Sequence, residues 1–144
     1  MMDNGFRKWL KERIDRAKEA EKIVNQKLKE KENFIREKVI PEIIEFLKEV
    51  KAMLEANNFK ISLEYGNDWL EFKMFFKNED YYGIGIKNNF KKREFELVEL
   101  KKENNSEYVN VLENIDIETW TFSNFKHICQ KLIDRFLLAY PLNF

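Results

Sequence analysis

The chain has 144 residues with 26 basic and 26 acidic side chains, so its formal net charge is zero while 36% of it is charged. That balance argues against the unpaired basic footprint of a duplex nucleic-acid binder, and the single cysteine, Cys129, excludes an internal disulfide framework. With 44% hydrophobic residues, among them 13 Phe, 5 Tyr and 3 Trp, the chain carries enough apolar bulk to build a core, which speaks against global disorder.

The first residues, Met1 to Lys11, are charged and lack the apolar centre of a signal peptide. No apolar run approaches the ~20 residues that span a bilayer. A cytoplasmic protein without membrane partners is therefore expected, in keeping with a lone thiol in a reducing compartment.

From Phe6 to Ile40 there is neither Gly nor Pro, and Lys, Glu, Arg, Leu and Ala dominate, which predicts a long helix. Its apolar positions Leu10, Ile14, Ala17, Val24, Leu28 and Ile35 make a narrow heptad-like stripe, with Glu21, Lys31 and Lys38 at the remaining seam positions. Pro41 lacks a backbone donor and crowds the preceding turn, so a kink or a very short break is expected there. Beyond it Ile43, Ile44, Leu47, Val50 and Leu54 form a broad apolar face, and Asn57-Asn58 is a suitable stop.

The apolar period then changes from 3.6 to 2. Phe59, Ile61, Leu63 and Tyr65 alternate with polar residues up to Gly66-Asn67-Asp68. Leu70, Phe72, Met74 and Phe76 alternate up to Asn78-Glu79-Asp80. Tyr82, Ile84 and Ile86 follow, Asn88-Asn89 turns, and Phe95 and Leu97 continue the series to Leu100. The run Lys101–Glu107 reads as a polar loop, and Tyr108–Leu112 as a short fifth strand. A last amphipathic helix is predicted from about Ser123 to Ala139, capped by Thr121 or Ser123 and stopped near Pro141. The expected fold class is α+β: a long, Pro41-kinked N-terminal helix, a four- to five-stranded antiparallel meander, and a C-terminal helix packed on the sheet. Residues 1–40 are read as a charged extended helix and 41–144 as an α+β domain, folding together as one unit.

No catalytic constellation stands out. Glu71-Phe72-Lys73 fits the acid-x-Lys half of a metal-dependent nuclease motif, with Asp68 and Glu64 as the near acidic partners such chemistry needs. Alternation of charge on the outer face of a hairpin produces the same tripeptide, and that reading is preferred. His127 and Cys129 are two positions apart on a helix and point to different sides, and one His with one Cys makes no metal cluster. Gly83 and Gly85 leave a bare strip on the face of the sheet away from the core, which Phe75 could cover from the next strand or a partner could occupy. Lys91, Lys92 and Arg93, with Phe90 and the nearby Tyr81 and Trp69, are the one basic-aromatic cluster and a candidate nucleic-acid patch. Glu94, Glu96 and Glu99 follow directly and oppose that use.

The thin stripe on the leading helix is the main anomaly, because such a seam usually seeks a second helix. The candidate partner-binding residues are Phe6, Trp9, Leu10, Ile14, Val24 and Leu28, the two aromatics acting as anchors. Folding back within the molecule would use the same residues.

The succession of a helix, Trp69-Leu70-x-Phe72, Tyr81-Tyr82-Gly83-Ile84, then Trp120 and a closing amphipathic helix resembles the C-terminal, non-catalytic region of bacterial and phage PD-(D/E)XK nuclease-like proteins. The resemblance covers roughly residues 45–140 and carries no catalytic residue, since the charged helix stands where that family has its catalytic part. It implies an accessory module in a defence or counter-defence setting. The leading expectation is thus a non-enzymatic protein-binding module, such as a phage-type inhibitor of a bacterial CRISPR-like defence complex or an immunity protein. The expected partner is another protein, a nucleoprotein complex or a second copy, with no cofactor, no metal and no small-molecule substrate. A metal-dependent nuclease remnant or accessory domain, and a structural homodimer joined through the long helix, are the alternatives.

Overall fold

A computed structural model describes residues 1–142. The chain divides into two compact units, Met1–Asn33 and the remainder from Phe34 onward.

The first unit is helical. Helix α1 spans Asn4–Phe34. It starts where Asp3 caps it: the Asp3 carboxylate accepts from the Phe6 N–H at 2.7 Å, satisfying one of the free donors of the first turn. None of its residues is buried.

The helical backbone continues through a π-helical segment, Ile35–Val39, into helix α2, Ile40–Ala56. Of the expected kink or very short break at Pro41, the chain shows no break: a local π-helical irregularity precedes the proline and the helix runs on. The wider turn ahead of Pro41 absorbs the local conflict. The Ile40 N–H reaches back to the Ile35 carbonyl, a longer span than an α-turn, just where the proline ring crowds the preceding turn. Ile35, Val39, Ile40, Ile43 and Leu47 are all almost fully buried. The packed core therefore begins upstream of Pro41. Helix α2 stops at Asn58, whose φ of 69° places it in the left-handed region that Asn tolerates.

Five strands follow: β1 Lys60–Tyr65, β2 Leu70–Phe75, β3 Tyr81–Asn89, β4 Glu94–Glu103 and β5 Ser106–Asn114. They form an antiparallel sheet in chain order. Two turns differ from expectation. Pairing of β3 with β4 continues to Asn89 opposite Glu94, so Asn88-Asn89 is strand and the turn falls at Phe90–Arg93. The expected Lys101–Glu107 loop is strand on both sides of a tight turn. Asn104 and Asn105 carry φ of 52° and 66°, the paired left-handed conformation of a two-residue hairpin.

One face of the sheet carries the main core. Leu70, Phe72 and Met74 of β2, Ile84 and Ile86 of β3, and Phe95 and Leu97 of β4 pack with α2 and with helix α3, Phe122–Ala139. Thr121 caps α3 by accepting from the Asn124 N–H at 3.2 Å. From α3, Phe125, Cys129, Leu132 and Phe136 point inward. Phe136 meets Phe59, Phe76 and Tyr140 at ring-centre distances of 5.7, 4.9 and 5.6 Å. Each such ring contributes both a large buried area and a preferred tilted contact. Leu137, which the helical pattern places on the apolar face, is 39% exposed at the margin of that face.

The opposite face holds a second, smaller cluster of Tyr81, Val98 and Leu100 with Phe75 against it. Register explains how. Gly83 stands opposite Leu100 and Gly85 opposite Val98. A Cβ on Gly85 would meet the Leu70 carbonyl oxygen at 2.7 Å and the Leu100 side chain at 3.3 Å, and one on Gly83 would collide with the Phe72 carbonyl. The β4 side chains Leu100 and Val98 thus lie over Gly85, the β2 backbone closes on Gly83, and Phe75 packs edge-on against Tyr81 at 5.6 Å on the same face.

Candidate interaction surface

Helix α1 presents its candidate residues to solvent. Phe6, Trp9, Ile14 and Val24 are between 44% and 54% exposed, while Leu10 and Leu28 are half-buried. Phe6 and Trp9, one turn apart, touch at 5.3 Å between ring centres, and the Arg13 guanidinium lies 5.6 Å over the Trp9 ring. These contacts give the start of the helix an aromatic pair tilted at 40°, with a cation above the Trp9 ring. Ile23 is 49% exposed beside Val24 and belongs to the same surface, although the seam pattern does not include it. Ile23 and Trp9 each precede a seam residue by one position, which at about 100° per residue puts both on one flank of the stripe. The Ile23-Val24 doublet is the signal that could have revealed it.

The nuclease-like tripeptide resolves into a different network. Lys73 Nζ lies 3.2 Å from the Glu71 carboxylate and 4.8 Å over the Tyr81 ring, and the Tyr81 hydroxyl donates to Glu107 at 3.2 Å. Burial alone would lower the Lys73 ammonium, but the hydrogen bond and charge of Glu71, with Tyr81 and Glu107 behind it, hold it above its ordinary value. Burial also pushes the Tyr81 phenol up, the Lys73 charge offsetting only part of that and Glu107 adding to it. Lys73 is thus held as a cation between Glu71 and Tyr81. Of the two expected acidic partners, Glu64 stands opposite Glu71 in the register, whereas Asp68 faces Arg36 at 3.7 Å and Asn88 at 3.4 Å. Among the described residues no three His, Cys, Asp or Glu side chains gather closely enough to hold a metal ion.

The basic-aromatic cluster comes together only in part. Lys91, Lys92 and Arg93 are exposed in the β3–β4 turn, next to Phe90, which is 77% exposed. Trp69 joins Phe90 there, since both line a shallow pocket of about 310 Å³ with Asp68, Glu71 and Lys87. Gly66 allows the Trp69 ring to lie against the turn backbone, where a Cβ would collide with the indole. Tyr81 is at the other end of β3, turned into the second cluster, and belongs to no such patch. His127 is exposed and Cys129 buried, its thiol pushed up to about 12 by burial, so the two share no site.

No described helix is long and apolar enough to cross a membrane. Comparison with protein-family models, with curated proteins and with solved structures finds no match to this chain.

Proposed function

We propose that this protein is a non-enzymatic protein-binding module whose contact surface is the apolar stripe of α1, with Phe6 and Trp9 as anchors and Leu10, Ile14, Val24 and Leu28 as the seam. One observation carries the reading: a helix with this many apolar side chains buries none of them, while the unit from Phe34 onward closes its core with its own residues. Exposed aromatic and aliphatic side chains on a charged helix gain most by packing into the seam of another helix. Binding of this kind blocks a partner by covering it and needs no reacting group, which is the mode of action of an inhibitor or an immunity protein.

Affinity capture from a host lysate tests it. A protein recovered in stoichiometric amount, and weakened when Trp9→Ala and Leu10→Ala are introduced together, is the expected result. Recovery that does not change with those substitutions counts against α1 as the contact.

A further inference from the structure

The two edges of the sheet are not alike. Strand β1 carries Lys60 and Glu64, with Lys60 paired to Glu79 at 2.8 Å, and buries Ile61. Charges of that kind are a common protection of an open edge. Strand β5 is the other edge and buries nothing: of Ser106–Asn114 only one residue is even half-buried. Its central residues Tyr108, Val109, Asn110, Val111 and Leu112 are uncharged, and the four apolar ones are between 37% and 55% exposed. In the register with β4, Val109 and Val111 face the second cluster, opposite Leu100 and Val98. Tyr108 pairs with Lys101 on the face of the main core, where Leu112 borders a groove beside Ile128 and Leu132 of α3. An edge strand that is apolar on both faces, with one row of backbone donors and acceptors left over, is a template for another strand.

The order of its residues says which strand. Ser106-Glu107-Tyr108-Val109-Asn110-Val111-Leu112-Glu113-Asn114 reads the same in both directions by residue character, with Asn110 at the centre. We propose that β5 docks on β5 of a second copy, antiparallel about a two-fold axis at Asn110, joining the two sheets into one. In that pairing Tyr108 meets the second copy's Leu112, Val109 meets its Val111, and the two Asn110 amides face each other. An isologous contact requires such self-complementarity, and aromatic–aliphatic and valine pairs are favourable cross-strand neighbours. The one unfavourable pairing, Glu107 with Glu113, is relieved by the register shift between Leu97 and Val98 of the neighbouring strand. The shift leaves Leu112 without a direct partner and turns Glu113 to the α3 face, where it accepts from Asn124 at 3.2 Å, while Glu107 stays with Tyr81 on the other face. The contact is separate from the α1 stripe.

Light scattering on the full chain over a concentration series reads the state directly. Wild type forms a dimer, the Val109→Lys, Val111→Lys double variant has half that mass with unchanged far-ultraviolet circular dichroism, and Trp9→Ala, Leu10→Ala stays dimeric. Single cysteines test the register: mild oxidation couples Asn110→Cys into a covalent dimer and leaves Tyr108→Cys uncoupled, because only the central residue meets its own copy. A wild-type monomer at every concentration, a dimer that survives the β5 charges, or equal coupling at positions 108 and 110 overturns the proposal.

Discussion

Helices α1 and α2 belong to one helical run, yet they dispose of their apolar residues in opposite ways. In α2 the residues Ile43, Ile44 and Leu47 fall on adjacent faces and are buried. In α1 Leu10, Ile14, Val24 and Leu28 are spread along a thin line broken by Glu21, and none is buried. Propensity is similar in the two, so stripe width separates them: a broad face can be covered by a sheet, a thin seam only by something as narrow as itself. The core takes in residues of α2 and, of α1, only its last residue Phe34, and the consequence for stability can be measured.

The largest effect belongs to the packed core that α2 shares with α3. Phe136 is fully buried among Phe59, Phe76 and Tyr140. Phe136→Ala is expected to cost about 3–5 kcal/mol in urea unfolding, the cost of an aromatic-sized cavity. Next comes Gly83→Ala, which sets a methyl group against the Phe72 carbonyl. It is expected to cost about 1–3 kcal/mol, the range for overpacking, in the same measurement.

A smaller effect comes from pH. Lys73 and Tyr81 both have raised values in the folded protein. Their protonated forms are therefore favoured by folding, and the stability they contribute is present below about pH 10 and lost as pH rises through the folded values. A Lys73→Met, Tyr81→Phe double variant is expected to flatten the alkaline decline in melting temperature. An unchanged slope would remove the network from the account. Smallest is Ile14→Gln on α1, expected to move stability by no more than about 0.5 kcal/mol, as for any exposed position. A large loss there would erase the contrast between the two helices.

Strands β1 to β3 were readable because apolar residues recur at every second position in Ile61–Leu63, Leu70–Phe76 and Tyr82–Ile86, and β4 was readable from Phe95 and Leu97. The fifth strand was read at Tyr108–Leu112, but its extent and the β4–β5 turn were hidden, because Asn104-Asn105 lies inside the polar stretch Lys101–Glu107 and β5 lacks a buried face to set a period. The turn after β3 was misplaced for a related reason: Asn88 and Asn89 are turn formers, but pairing with Glu94 and Phe95 holds them in the ladder. Of the site, the α1 stripe was visible as a heptad spacing, and Ile23 was not, since it lies off the seam. The grouping of Trp69 and Phe90 without Tyr81 depends on which end of β3 each side chain occupies, and only the register shows that.

The meander has a kinetic meaning as well. Each strand pairs only with the strand before or after it along the chain, and no crossover intervenes. Hairpins can therefore close one after another over short loops, each at a small entropic cost. Such a sheet can zip from any of its turns, and the slow event is left to the ends of the unit, where α2 and α3, far apart in sequence, must find the same apolar face.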